Sequence, residues 1–237
     1  IAFKLGAVPF HMWVPDVYDG APTSVTAFVG TAPQIAAVVF AFRILVTGMG
    51  TIHSDWAPML AILAVASLVV GNLAAIMQTN IKRMLAYSTV SHMGFILLAF
   101  MAGAVGFTAG LYYAITYALM AAVSFGILMV LSTKDIECED IKDLAGLNHR
   151  HAWFAFLMLL SMFSMAGIPP LMGFYAKFSV IMALLKQGYV WLSVFAVIMS
   201  LIGAFYYLRV VKVIYFDAPD HDQPVGRNYA ATFVLTV

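Results

Sequence analysis

Long uncharged apolar stretches alternate with short polar connections along the whole chain. About 20 consecutive apolar residues are enough to cross the hydrocarbon core of a membrane as a helix. The apolar stretches cover approximately residues 1–14, 21–47, 57–77, 84–102, 107–132, 152–185, 188–215 and 229–237. The pattern predicts an all-α, polytopic transmembrane helical bundle with six complete spans and two partial spans at the ends.

The connections are short and turn-like at Pro15–Gly20, Gln78–Arg83 and Gly103–Gly106, and the longest is Thr133–His151. Short links join neighbouring helices of one bundle, so residues 1–237 are predicted to form a single transmembrane domain. The chain begins and finishes inside apolar runs, and we expect it to be a fragment of a longer protein.

Basic residues are distributed unequally between alternate connections. Cytoplasmic connections are usually rich in lysine and arginine. The odd-numbered connections hold Lys82, Arg83, Lys134, Lys142, Arg150, Arg209, Lys212 and Arg227, whereas the even-numbered ones hold Arg43 and Lys186. The odd connections are therefore predicted to face the cytoplasm or its equivalent.

The apolar stretch at residues 152–185 is too long for one straight helix. At 1.5 Å per residue it would reach ~51 Å, against a hydrocarbon core of ~30 Å. Pro169 and Pro170 interrupt its middle, and proline removes a backbone donor and clashes with the preceding turn. Two half-helices are therefore predicted to meet at membrane depth, where such backbone must line protein or a wet cavity. A second broken helix is predicted near Pro9.

Composition excludes a water-soluble domain. The chain is 63% hydrophobic and 10% charged, whereas soluble domains carry about 25% charged residues. The net charge of +1 gives no attraction to nucleic acid. Cys138 is the single cysteine, which rules out an internal disulfide and a site built from several cysteines.

Two lysines lie in apolar sequence. Lys177 is the only charged residue between Ala152 and Leu185, and Lys4 lies in the run that opens the chain before Pro9. An ammonium in hydrocarbon costs at least ~2.5–3.5 kcal/mol. Both lysines are therefore expected to face a polar interior and to take and release protons. The alternative is a lysine that extends to the membrane surface.

Two histidines are candidate proton carriers near neutral pH. His92 lies in the middle of a span with Ser88 one turn before it, and it fits both a proton relay and a core histidine satisfied by a hydroxyl. His11 follows Pro9 and fits both a gate and an interfacial residue. Tyr112, Tyr113 and Tyr117 share a helix and are expected to be interface or core residues rather than members of a relay. A metal site is not expected.

Three motifs, at Phe3–Thr26, Asn72–His92 and Ala166–Phe178, resemble subunit N of respiratory NADH:quinone oxidoreductase (complex I), which is an antiporter-like membrane subunit. They cover most of the chain, which resembles the part from about the seventh transmembrane helix onward. The resemblance implies inverted repeats with broken helices and a central chain of lysines, histidine and water. It makes Lys4, His92 and Lys177 the proton relay, with His11, Gln34 and Ser88 in support.

The resemblance also implies a proton-translocating subunit of an enzyme complex, driven by quinone reduction elsewhere and without redox chemistry in this chain. NADH, FMN, iron–sulfur clusters and quinone would bind other subunits. The implied partners are the other membrane subunits and the lipid bilayer, with no nucleic acid. The implied location is the bacterial plasma membrane or the mitochondrial inner membrane.

Gln34 departs from the family pattern, which often has a lysine there. Glutamine can hydrogen-bond water but cannot carry a proton charge. Either the path conducts through water at Gln34, or this chain couples differently. Two other functions therefore stay open: a subunit of a multisubunit sodium/proton antiporter, and a non-conducting structural subunit of the same complex.

Overall fold

The computed structural model of the chain describes residues 1–132 and 138–218. Their α-helices, in chain order, are α1 Ala2–Leu5, α2 Trp13–Gly20, α3 Thr23–Val29, α4 Ala32–Phe42, α5 His53–Met77, α6 Ile81–Met101, α7 Gly103–Leu131, α8 Leu147–Arg150, α9 Ala152–Ala166, α10 Met172–Lys186 and α11 Val190–Phe216. A π-helical segment covers Arg43–Gly48, and 3₁₀ turns cover Gly50–Ile52 and Ile141–Leu144.

The predicted all-α transmembrane bundle is confirmed. Thr23–Gly48, α5, α6, α7 and α11 are long and apolar enough to cross a membrane. The partial span predicted at residues 229–237 lies outside the described residues, and the single domain at 1–237 stays a prediction.

Helix α6 forms the centre of the bundle and is buried along nearly its whole length. Helix α5 packs closely along it because glycines bring the two backbones together. A Cβ atom at Gly71 would lie 2.6 Å from the Ser91 backbone nitrogen. Small residues at such contacts allow helix backbones to approach closely in membranes. The central position of α6 places its polar residues away from lipid.

The broken helix predicted at Pro169–Pro170 is present. Helix α9 ends at Ala166, and Gly167 adopts a left-handed conformation with φ 88°. The Gly167 and Ile168 amides donate to the carbonyls of Ser164 and Phe163, which is the Schellman arrangement for ending a helix. The peptide bond between the two prolines is cis, and α10 begins two residues later.

The first break, near Pro9, has the same construction. Gly6 is left-handed with φ 69°, and the amides of Gly6 and Ala7 donate to Phe3 and Ala2. Pro9 stands three residues after Gly6, as Pro170 stands three residues after Gly167, and each proline follows a cis peptide bond. Each break therefore combines a glycine-ended half-helix with a proline at the same spacing.

The structure contains a third interruption that the sequence analysis did not predict. The span expected at residues 21–47 is divided between α3 and α4 at Gly30 and Thr31. Pro33 has no N–H to donate to the Val29 carbonyl, so the helical ladder is broken there. A Cβ atom at Gly30 would also lie 2.9 Å from the Tyr18 hydroxyl. The predicted span is present, but its implied continuity was wrong.

The predicted link at Pro15–Gly20 was also wrong, because these residues lie in α2. Pro15 is in the first turn of that helix, where proline is tolerated. Helix α2 is tied to the start of α6 by an ion pair of 3.2 Å between Arg83 and Asp19. Asn80 caps α6 by accepting from the Arg83 amide, and its side-chain amide donates to Asp19 at 2.9 Å.

Candidate functional site

The Lys177 ammonium is buried beside the second helix break. Its Nζ donates to the Ala166 carbonyl and to the Ser200 hydroxyl, each at 2.9 Å. In an unbroken helix the Ala166 carbonyl would accept from residue 170, but Pro170 has no N–H to give. The break therefore supplies the acceptor that holds the lysine. This arrangement agrees with the predicted inward position of Lys177 rather than with the alternative of extension to the membrane surface.

The surroundings of Lys177 leave little room for its side chain. A Cβ atom at Gly167 would lie 3.0 Å from the lysine Cδ. The Phe95 ring centroid lies 5.5 Å from Nζ, close enough for a cation–π contact. An otherwise apolar groove of about 510 Å³ between the α9–α10 turn, α10 and α11 has Lys177 and Ser200 in its wall.

His92 is buried and has a tyrosine hydroxyl on each ring nitrogen. Its Nδ1 lies 2.7 Å from the Tyr113 hydroxyl and its Nε2 lies 2.9 Å from the Tyr207 hydroxyl. Tyr207 is also hydrogen-bonded to Ser88. The structure therefore brings the predicted residues Ser88 and His92 together through Tyr207. A neutral imidazole donates from one nitrogen and accepts at the other, so the ring is held in line with both hydroxyls.

Three tyrosines, Tyr113, Tyr117 and Tyr207, belong to this cluster. Tyr113 and Tyr117 are buried, as expected for core residues, but their hydroxyls also take part in the polar site, which was not predicted. Tyr117 joins Thr89 at 2.6 Å, and its ring centroid lies 4.7 Å from that of His92. The spacing of Tyr113 and Tyr117, one turn apart, was a usable signal for a shared polar face. Tyr207 gave no such signal because it lies on α11, 115 residues from His92.

Phe95 separates the lysine from the histidine cluster. Its ring contacts the Lys177 ammonium on one side and stacks on Tyr113 with centroids 5.6 Å apart. Within residues 1–132 and 138–218, no continuous chain of hydrogen bonds runs from Lys177 to His92. The two groups share one interior but are held as separate polar sites.

The structure does not bring Lys4 into either polar site. Lys4 lies on α1, where its side chain is exposed and makes no hydrogen bond or ion pair with the described part of the chain. Its predicted role in the relay stays a prediction.

His11 and Gln34 are buried, but neither is hydrogen-bonded to the His92 cluster. His11 Nδ1 and Gln34 Oε1 have no hydrogen-bond partner among the described residues, and neither does the Tyr18 hydroxyl. Such buried groups cost about 1–3 kcal/mol each when nothing pairs with them. Their positions suit polar contacts with water. Their predicted supporting roles stay predictions.

Lys82 is a second buried lysine that sequence analysis assigned to a connection. Its side chain is 1% exposed and its Nζ lies 3.5 Å from a Glu139 carboxylate oxygen. The Ile81 amide donates to the Glu139 carbonyl at 2.7 Å, which holds that acid over the start of α6. Lys82 therefore has an anionic partner outside the membrane core, in contrast to Lys177, whose two acceptors are uncharged.

Comparison with known proteins identifies close relatives. Residues 1–203 match the family described as NADH:quinone oxidoreductase/Mrp antiporter, transmembrane. Over its full length the chain is 80% identical to NADH-quinone oxidoreductase subunit N of Neisseria gonorrhoeae and 57% identical to that of Thioalkalivibrio sulfidiphilus. It covers 50% of each of these relatives, so the chain spans about half their length.

Two solved structures share the fold. Respiratory complex I from Thermus thermophilus with bound aureothin contains a chain that is 32% identical, with a TM-score of 0.84. The alignment covers 99% of this chain and 52% of that one. The Mrp complex from a Dietzia species contains a chain that is 26% identical, with a TM-score of 0.83. That alignment covers 97% of this chain and 46% of the Dietzia chain. The predicted resemblance to subunit N is confirmed.

Proposed function

The chain belongs to the NADH:quinone oxidoreductase/Mrp antiporter transmembrane family, and we propose that it is part of a subunit that moves protons in NADH:quinone oxidoreductase. It is an integral membrane protein of the bacterial plasma membrane. Oxidation of NADH, the flavin, the iron–sulfur clusters and the quinone are assigned to other subunits. The proposed partners are the other membrane subunits of that complex and the surrounding lipid.

The buried Lys177 ammonium carries the proposal. Burying a lysine in the membrane interior costs free energy, and lysines found there usually line ion or proton paths. Both acceptors of Lys177, the Ala166 carbonyl and the Ser200 hydroxyl, are uncharged. They stabilise the ammonium without fixing its charge as a carboxylate would, so the amine can gain and lose a proton.

His92 is the second proposed proton carrier. Its two ring nitrogens each contact a tyrosine hydroxyl, and such hydroxyls can accept one proton while they donate another. Transfer between Lys177 and His92 requires rotation of the Phe95 ring or entry of water beside it. Phe95 would therefore control when the two sites exchange a proton. Moving one charge against 100 mV takes ~2.3 kcal/mol.

Lys4, His11 and Gln34 are proposed to form the part of the path on the side of α1 and α4. The unpaired His11 and Gln34 atoms support this role because buried polar atoms suit ordered water. Gln34 would hold water in the path and would not itself carry charge. Charge changes that accompany quinone reduction in other subunits would bias Lys4 first, and then His92 and Lys177.

A subunit of a multisubunit sodium/proton antiporter is the second candidate. The similarity in fold to the Dietzia Mrp chain favours it. Identities of 80% and 57% to subunit N of NADH-quinone oxidoreductase, against 26% to the Mrp chain, favour the first function. Sodium-dependent proton exchange by an assembly that does not oxidise NADH would support the second.

The test replaces Lys177 with methionine in the assembled complex and measures NADH-driven proton pumping in vesicles. Met removes the charge and keeps the length of the side chain, so pumping is expected to fall well below that of the unmodified complex. Lys186→Met is the matched control, because Lys186 is the exposed lysine at the end of the same helix. Normal pumping by an intact Lys177→Met complex would instead support a non-conducting structural subunit.

A further inference from the structure

A second site lies where the ends of α5 and α11 meet the 3₁₀ turn at Ile141–Leu144. A pocket of about 480 Å³ opens there, with Gln78, Thr79, Lys142, Arg209, Lys212 and Asp217 in its wall. All three basic residues were assigned from the sequence to connections predicted to face the cytoplasm, and the structure places Arg209 and Lys212 near the end of α11. None of them takes part in the lysine and histidine sites described above.

The charges around this pocket do not cancel. Lys212 is paired with Asp217 at 3.1 Å. Arg209 donates to the backbone carbonyls of Ile76 at 2.9 Å and Gln78 at 2.6 Å, and no carboxylate of the described residues forms an ion pair with it. Lys142 makes no ion pair with the described residues.

Asp140 is the other carboxylate in the pocket wall. It accepts from the backbone as part of a capping box at the 3₁₀ turn. The wall therefore carries three cations and two carboxylates, and both carboxylates already have other partners. An anion is the ligand that this wall attracts.

Exposed apolar side chains lead from the pocket toward the membrane core on both helices. On α5 they are Leu73 and Met77, the second of which directly precedes the pocket residue Gln78. On α11 they are Leu201, Phe205 and Leu208, spaced three and four residues apart and followed by Lys212. Residues at this spacing lie on one side of a helix. The basic pocket thus stands at the ends of two helices that both carry exposed apolar side chains.

The two helices are fixed beside one another along this surface. Asn72 of α5 donates to the Met199 carbonyl of α11 at 3.1 Å. Arg209 of α11 donates to the carbonyls of Ile76 and Gln78 at the end of α5. A ligand with an anionic head and hydrocarbon chains matches both parts of the surface at once. Basic pockets between membrane helices on the cytoplasmic side are typical sites for anionic lipid headgroups.

We propose that the pocket formed by Gln78, Thr79, Lys142, Arg209 and Lys212 binds the phosphodiester headgroup of an anionic diacyl phospholipid. Its acyl chains lie along Leu73 and Met77 of α5 and along Phe205 and Leu208 of α11. The headgroup accepts hydrogen bonds from Lys142 and Lys212 and neutralises the excess positive charge.

The test uses the assembled NADH:quinone oxidoreductase that contains this chain and a phosphatidylglycerol with a photoactivatable group in its acyl chain. Labelling of α5 and α11 peptides is followed by mass spectrometry as the lipid concentration rises. Each basic residue near the surface contributes a factor of about five in affinity. Lys142→Gln with Lys212→Gln is therefore expected to weaken labelling roughly 25-fold. Lys186→Gln, at the opposite end of the bundle, should leave it unchanged.

A variant with the opposite expected effect separates binding from damage to the fold. Asp217→Asn removes the carboxylate that pairs with Lys212 and should strengthen phosphatidylglycerol labelling several-fold. Equal labelling by phosphatidylcholine, or unchanged labelling in the double lysine variant, would overturn the proposal. Loss of labelling on addition of inorganic phosphate would assign the pocket to the free ion instead. The Lys177→Met pumping experiment is independent of each of these results.

Discussion

At the scale of single residues, the two proposed proton carriers lie against hydroxyls and carbonyls rather than against carboxylates. Lys177 has Ala166 and Ser200, and His92 has Tyr113 and Tyr207. Lys82, which lies at the aqueous end of α6, is the one with a carboxylate partner among these. A group with uncharged partners keeps the freedom to change its protonation state, as a proton carrier must.

Replacing Tyr207 with phenylalanine should impair the His92 site. The change removes the hydroxyl that joins His92 Nε2 to Ser88, leaves both partners buried and unpaired, and should cost about 1–3 kcal/mol of stability. NADH-driven pumping should fall in the assembled complex. Tyr215→Phe on the same helix is the control, because its hydroxyl makes no hydrogen bond with the described residues. Equal pumping by the two variants would contradict a role for Tyr207.

Cys138 should be unreactive at moderate alkaline pH in the folded protein. Burial raises the pKa of its thiol to about 12, so at pH 8 the reactive thiolate is scarce. We expect maleimide labelling to be slow in the native complex and fast after denaturation in detergent. Cys138 is the chain's only cysteine, so the labelled peptide is unambiguous. Rapid labelling of the native complex would show that the Cys138 thiol is accessible and not buried.

At the scale of elements, both predicted broken helices follow from the sequence, and the third interruption also has a local signal that was missed. The span at residues 152–185 is longer than a membrane is thick, and its prolines are adjacent, so the break follows from local chemistry. The α3–α4 interruption coincides with Gly30 and with Pro33, which cannot donate to the Val29 carbonyl. The close approach of the Tyr18 hydroxyl to Gly30 joins two elements, and the sequence alone does not specify it.

Gly167→Ala should disturb Lys177 in addition to straining the backbone. A left-handed alanine costs roughly 1–2 kcal/mol, and its Cβ would press on the lysine Cδ at 3.0 Å. Gly188→Ala imposes the same backbone strain at φ 82° with open space around the new methyl group. Both variants should therefore lose similar stability in thermal unfolding, but pumping should fall only in Gly167→Ala. An equal fall in proton pumping in both variants would show that backbone strain alone causes the effect.

At the scale of the whole molecule, α11 connects the polar groups of three other helices. It supplies Ser200 to Lys177 on α10, Tyr207 to His92 on α6, and Tyr206 to Asn72 on α5. The sequence could supply the candidates Lys177, His92 and Ser88, because each stands out within its own span. Their partners on α11 are distant in the chain, and tertiary packing alone brings them together.

The Asn72 and Tyr206 side chains should be energetically coupled. The Tyr206 hydroxyl donates to Asn72 Oδ1 at 3.2 Å, so each side chain depends on the other. Asn72→Leu and Tyr206→Phe should each destabilise the protein by about 1–3 kcal/mol. The double variant should lose less than the sum, with a coupling energy of at least ~0.5 kcal/mol in denaturant unfolding. Strict additivity would show that the pair does not interact.

Both breaks place a proline three residues after a left-handed glycine, and at the second break the carbonyl left without a backbone donor holds a buried ammonium. A motif of a few consecutive residues can therefore provide a binding position for a cation within a membrane-spanning segment. We expect such a short motif to work in other membrane proteins. Inserted into the middle of an ordinary membrane-crossing segment, with a lysine placed to reach the orphaned carbonyl, it should create an anchored amine where none existed. The motif could therefore be used to place a buried amine in designed membrane proteins.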